Sequence, residues 1–220
     1  WPGVTAVASA ALGAIVKFDS PEAPHAVYCE IVCQRVGRLF HVPLADGVLT
    51  ATADGPAYAS LEVCLPGVAT PDLPQSRRVE VAKRYPNEVA ALLAFDILIG
   101  NNDRACNVKA VTISPHIHCF AGFDHSHTLL NIESTIDACL ARLSSNDLIV
   151  GNHPFLKLVN KELLHSWAAR IAAVDTGLLS ACCTFNRAFR GVDEQRQLDL
   201  AKALVRRQQK LPELVHQVPC

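Results

Sequence analysis

Hydrophobic residues change their period part-way along this chain, and the change falls at a proline-rich, polar stretch spanning about residues 66–78. Before it, residues 11–18 (ALGAIVKF) read as a strand with a single charge, Lys17. Pro21 and Pro24 break the chain. Apolar residues then recur at Val27, Ile31, Val32, Val36, Leu39 and Phe40, which is helical spacing over 25–40 with Glu30 in its middle. Residues 48–53 and 57–63 read as two further strands around the turn residues Asp54, Gly55 and Pro56. After the proline-rich stretch, Pro86 and Asn87 open a densely apolar helix over 88–99, and Gly100 stops it. A polar loop, 101–107, leads into two strands, 108–113 and 116–123, joined at Ser114-Pro115. The rest is helical, roughly 132–142, 158–173, 175–189 and 195–209. This order predicts one α+β domain in two lobes: a strand-rich N-lobe with one helix over 1–78, and a mainly helical C-lobe over 79–220.

Half of the 220 residues are apolar, enough to bury a core. A net charge of -1 gives no reason to expect a nucleic-acid partner. The nine cysteines are scattered without a CxxC pair, a pattern that suits reduced thiols and a cytoplasmic protein. Cys29 and Cys33, one helical turn apart, and the adjacent Cys182 and Cys183 read as small core residues. The uncharged run at 1–16 falls short of the roughly 20 residues of a bilayer helix and has no basic residue ahead of it, so no membrane span is expected. The absence of methionine leads us to expect that the natural chain extends before Trp1.

Phosphoryl transfer from ATP needs a cation on the phosphates, oxygen ligands for Mg²⁺, and a carboxylate that orients the attacking hydroxyl. The chain offers a residue for each task. Asp103 and Asn107 lie in a tight loop after the buried helix, and Asp124 ends the second strand of the hairpin that follows. A hairpin returns the chain to where it began, so the three side chains can converge. Lys17 sits in an apolar strand, where an unpaired ammonium is costly, and Glu30 in the next helix is its natural partner. Taken singly, these are ordinary residues: Asp and Asn populate turns, and Lys17 can face solvent from an edge strand. The ordered set is what points to a site.

The segments FDILIGNNDRACN (95–107) and FDHSHTLL (123–130) resemble the catalytic loop and metal-binding motif of the HipA-like kinases and, more distantly, of the phosphatidylinositol 3- and 4-kinases. The run VKF, a glutamate in the next helix, and GRLFHVPLADGVL resemble the small lobe of those enzymes; the match covers about 11–130. The resemblance implies that Lys17 contacts the ATP phosphates and is held by Glu30. It implies that Asp103 is the catalytic base or the carboxylate orienting the acceptor, and that Asn107 and Asp124 bind Mg²⁺. The strand 57–63 would meet adenine at the lobe junction, and the acceptor would be a protein or a small soluble molecule. Two departures stand out. Asp103 and Asn107 are four residues apart where these families usually show five, and Ala105 follows the DR pair. The nucleotide-covering stretch offers only Gly3 and Gly13, with Thr5 and Ser9 between them. A catalytically weak or inactive nucleotide-binding relative is therefore a second expectation. A third is a zinc site among His116, His118, Cys119, His125 and His127, since imidazole and thiolate suit Zn²⁺.

Overall fold

The computed structural model describes residues 13–53, 55–63, 71–114 and 117–219. Three antiparallel strands, β1 (Ala14–Lys17), β2 (Gly47–Thr52) and β3 (Gly55–Leu61), form a sheet in the order β1-β3-β2. Lys17 pairs with Tyr58, and Tyr58 with Leu49, so these three stand in one row across the sheet. Helix α1 (Ala26–Phe40) packs against β2 and β3. Its apolar positions Val27, Val32 and Val36 are buried, and His41, in a left-handed conformation at φ 56°, closes its C-terminus.

A short helix, α2 (Arg78–Arg84), occupies what the sequence left as the end of the loop and the approach to the next helix. It leads into α3 (Pro86–Ile99), which starts on Pro86 and ends at Gly100, φ 70°. Every residue from Val89 to Ile99 is buried, so α3 is the central post of the molecule and has no polar face. The hairpin of β4 (Val108–Ser114) and β5 (Ile117–Gly122) follows in the expected place. The turn residues Pro115 and His116 lie outside the described residues.

The remaining helices are α4 (Ile136–Ser144), α5 (Lys161–Ala172), α6 (Thr176–Cys183) and α7 (Glu194–His216). Three differ from expectation. α4 begins at Ile136, four residues later than expected. α6 stops at Cys183, six residues before the expected end. The chain beyond it turns so that Phe185 and Phe189 pack on Tyr28 of α1, with ring centroids 6.0 and 5.2 Å away. α7 does not end near 209 but runs through Pro212, held by its buried residues Leu211, Leu214 and Val215. Also in α7, the fully buried Arg207 donates to the carbonyls of Ile97, Leu143 and Asp147. It thereby closes the C-terminal ends of α3 and α4, where helix dipoles favour a cation. Burial lowers its pKa to about 10.

Candidate functional site

The register of the β4–β5 hairpin sets the site. Val108 stands opposite Gly122, so the next residues outward, Asn107 and Phe123, are neighbours, and the Phe123 amide donates to the Asn107 carbonyl at 3.0 Å. Asp124 follows at φ 57°, a left-handed conformation that Asp tolerates better than most residues. Its Oδ1 accepts from the Ser126 amide at 3.2 Å, an Asx turn that fixes the carboxylate. The same oxygen lies 2.8 Å from Lys17 Nζ.

Lys17 is thus not left to solvent, although β1 is an edge strand. Its ammonium also donates to Glu30 Oε1 at 2.5 Å. Glu30 is only 2% exposed, and a buried carboxylate needs donors. It receives them from Lys17, from the His125 amide at 2.9 Å and from Ser126 Oγ at 3.2 Å, with His125 Nδ1 3.3 Å from Oε2. Burial alone would raise the pKa of Glu30; His125 and Lys17 outweigh it and bring it below its ordinary value. Asp124 follows the same logic. Burial pushes its pKa up, but the Lys17 charge and the Lys17 and Ser126 hydrogen bonds hold it at about 2. Both acids are therefore anions at neutral pH.

The loop between α3 and β4 brings the other two residues in. Asn101 Oδ1 accepts from the Asp103 amide at 2.8 Å, and the Asn107 amide donates to the Arg104 carbonyl at 3.0 Å. That tight turn takes up the short spacing from Asp103 to Asn107. Asn107 Nδ2 donates to the Asp103 carbonyl at 2.6 Å and lies 3.5 Å from Asp103 Oδ2. Lys17, Asp103, Asn107 and Asp124 line one cleft of about 360 Å³ together with Phe18, Ser20, Ser126 and His127, and Glu30 stands behind Lys17.

Sequence reasoning missed what supports this loop. Asp96 and Arg104 are both fully buried and pair through two contacts of 2.8 Å, from Nε to Oδ2 and from Nη2 to Oδ1. Asn101 Nδ2 adds a third donor to Asp96 at 3.0 Å. The remaining guanidinium nitrogen, Nη1, donates to the carbonyls of Asn107 (2.8 Å) and Phe123 (2.6 Å). Arg104 therefore ties the two strand ends that carry Asn107 and Asp124. Burial would raise the Asp96 pKa, but Arg104 keeps it well below the ordinary range. The signal was available: Asp96 is the one acid inside the apolar run 89–99.

Some expectations fall elsewhere. Gly3, Thr5 and Ser9 lie outside the described residues, as do 64–70, which follow the strand expected to meet adenine. Gly13 is described, and its carbonyl accepts from the Glu62 amide at 3.0 Å. Among the described residues, no group of three or more His, Cys, Asp or Glu is placed to hold a metal. Of the histidines considered for zinc, His125 faces Glu30 and His127 lines the cleft; His116 lies outside the described residues.

No protein-family model matches the sequence, and no curated protein matches it. Solved structures do. The Helicobacter pylori proinflammatory kinase CtkA superposes with a TM-score of 0.65 at 15% identity, over 97% of this chain and 93% of that one. HipA of the Shewanella oneidensis MR-1 toxin–antitoxin system, solved with HipB and its operator DNA, superposes with a TM-score of 0.62 at 14% identity. That match covers 93% of this chain and 60% of HipA, so the chain spans less than two thirds of HipA's length. Both likenesses run through the strand-rich and the helical parts alike, and at these identities they are likenesses of fold: this chain folds as the HipA-like kinases do.

Proposed function

We propose that this chain is an ATP- and Mg²⁺-dependent phosphotransferase of the HipA-like kind, acting in the cytoplasm on a protein or a small soluble acceptor. The observation that carries the reading is the meeting of Lys17, Asp103, Asn107 and Asp124 around one cleft, with Glu30 buried behind Lys17. The shared fold supports it. Among the described residues no helix is long and apolar enough to cross a membrane.

The residues fit the metal. Asn107 uses its amide nitrogen on Asp103, which leaves Oδ1 as the atom able to ligate. Asp124 commits Oδ1 to Lys17 and Ser126, which leaves Oδ2. An oxygen-only set of this kind suits a hard cation that keeps several waters. Bound there, Mg²⁺ would offset the charge of the phosphates. An ammonium has three donors, and Lys17 directs two at Glu30 and Asp124, so one remains for a phosphate oxygen. Asp103, exposed at the cleft edge, is placed to accept a hydrogen bond from an acceptor hydroxyl and orient it.

A nucleotide-binding module with little turnover is the second reading. Asn107 Nδ2 lies 3.5 Å from Asp103 Oδ2, so that oxygen is partly taken up by the protein and less free to accept from an acceptor hydroxyl. One Mg²⁺ titration separates the two, read as ATP binding and as transfer of labelled phosphate. Asp124→Ala is expected to abolish Mg²⁺-dependent binding. Asp103→Ala should bind ATP and fail to transfer, and Asn107→Ala should fall between. Binding without transfer by the wild-type chain selects the second reading. No Mg²⁺-dependent ATP binding at all by wild type overturns both.

A further inference from the structure

The segment between α4 and α5 has no part in the cleft, yet it is built against the loop that carries Asp103 and Asn107. Gly151, at φ 32°, runs so close to that loop that a Cβ on it would stand 2.7 Å from the Asn102 carbonyl oxygen and 3.1 Å from the Asn102 Cα. Ile149, Val150, His153 and Phe155 around it are all buried. Phe155 packs on Phe120 of β5 with ring centroids 6.0 Å apart, so the same few residues touch both the loop and the hairpin.

His153 stands at the centre of this contact. Its Nδ1 accepts from the Phe155 amide at 3.2 Å, so the proton of the neutral ring is on Nε2. Nε2 lies 3.1 Å from Asp96 Oδ2, the oxygen that also receives Arg104 Nε. The contact is not a well-aligned hydrogen bond, so its hold on Asp96 is electrostatic and steric. Burial lowers the pKa of His153 below its ordinary value, which keeps the ring neutral with its Nε2 edge against the carboxylate. From Asp96 the chain of contacts continues through Arg104 to the carbonyls of Asn107 and Phe123.

We propose that His153 is a positioning residue for the cleft: through Asp96 and Arg104 it fixes the separation of Asn107 from Asp124. The proposal rests on the phosphotransferase reading for its consequence in activity, while the positioning itself can be measured without nucleotide. Partners one step behind a ligand, as Arg104 is to Asn107, typically change metal affinity or activity by about 10–100-fold when removed, and His153, two contacts further back, is expected at the lower end of that range.

The test uses the full chain and three variants. His153→Phe keeps a ring and removes both nitrogens. His153→Gln keeps an N–H at about the position of Nε2. Gly151→Ala pushes on the loop through its other contact. Amide hydrogen exchange is followed at Phe123 and Asn107, whose N–H groups bond to the Asn107 and Arg104 carbonyls, and at Leu204 and Leu211 in α7 as internal references. In His153→Phe, exchange at Phe123 and Asn107 is expected to quicken at least about tenfold more than at the references, and His153→Gln to restore most of the protection. The apparent Mg²⁺ affinity in ATP binding should fall by about tenfold in His153→Phe and recover in His153→Gln. If His153→Phe does not fold, Gly151→Ala is read in its place, with the same selective quickening expected. Uniform quickening at all four amides shows a merely structural residue and overturns the proposal, as does unchanged exchange at Phe123. Should wild type fail to bind ATP with Mg²⁺, the phosphotransferase reading falls, and the exchange comparison still decides whether His153 positions the loop.

Discussion

Two ionic clusters adjoin the α3–β4 loop, and they differ in one respect. In the sealed cluster, Asp96 is fully buried and both its oxygens are engaged, by Arg104, Asn101 and His153. In the open cluster, Glu30 is equally buried, but the Lys17 side chain keeps 15% of its exposure and that of Asp124 35%. The acids of both clusters are ionised, so charge state does not tell them apart. What separates them is leftover bonding capacity with access to solvent. Lys17 has a donor to give and Asp124 an oxygen, whereas Asp96 and Arg104 of the sealed cluster have used their groups on neighbouring side chains and on backbone carbonyls. A buried ion pair next to a cleft is therefore scaffolding until a free atom can be pointed to.

The largest expected effect breaks the sealed side. Asp96→Ala leaves the Arg104 guanidinium buried without its carboxylate and should cost about 3–5 kcal/mol in chemical denaturation. Asp103→Ala, a few residues on but exposed, should change stability by no more than about 0.5 kcal/mol. Equal losses for the two would mean that Asp96 is not sealed. Next comes Glu30→Ala. Glu30 is as buried as Asp96, but the ammonium it leaves behind can turn to water in the cleft. Hydrogen bonds to charged groups are worth about 1.5–3 kcal/mol, and a loss in that range is expected from the same denaturation curves.

Acid sharpens the comparison further. The folded pKa of His153 is depressed below 6.5, so below that pH the unfolded chain takes up a proton that the folded chain does not. Stability is then lost as pH falls from about 6.5 towards the folded value. Asp96, depressed below 3.8, adds a second loss only as pH falls below that point. Each group contributes a slope of up to about 1.4 kcal/mol per pH unit within its own window. Denaturation at pH 7, 5.5 and 3.5 should show the upper loss shrink in His153→Gln, leaving only the small share of His165, which is also depressed, while the lower one, shared by Asp96 with Glu30 and Asp124, persists. A flat profile between pH 7 and 5.5 in wild type would contradict the neutral buried His153.

The open cluster was the legible one. A lone charge in an apolar strand, a carboxylate central in the next helix and an acid after a hairpin are local features, and hairpin register alone brings Asn107 beside Phe123 and Asp124. The sealed cluster was half legible. Asp96 breaks the apolar run of α3 just as Lys17 breaks that of β1, and the same argument would have demanded a partner for it. His153 was not legible at all. It sits in a segment with no period, 57 residues from Asp96, and only the packing of 149–155 under the loop brings the two together. The helical tail failed at its ends for a similar reason. Tertiary contacts on Tyr28 stop α6, and buried residues past Pro212 carry α7 on, where propensity would have ended it.

Within the open cluster, the smaller expected change in stability, and the one that isolates function from scaffolding, is at Lys17. Removing the ammonium takes one donor from Glu30, but the His125 amide and Ser126 Oγ remain on that carboxylate. Asp124, already partly exposed, can turn to water and keeps its bond from Ser126. Lys17 itself sits on edge strand β1, whose pairing with β3 runs through the backbone. Lys17→Ala is therefore expected to cost less than about 1 kcal/mol, well below Glu30→Ala. Its effect on nucleotide should be much larger. A charge-assisted hydrogen bond to a phosphate is worth about 1.5–3 kcal/mol, so ATP affinity should fall by roughly 10–100-fold in calorimetric titration. Lys17→Arg should not restore it, because the planar guanidinium cannot meet Glu30 and Asp124 as the compact ammonium does. Unchanged ATP affinity in a folded Lys17→Ala variant would remove Lys17 from the site. A stability loss matching that of Glu30→Ala would move the open cluster to the scaffolding side of the comparison.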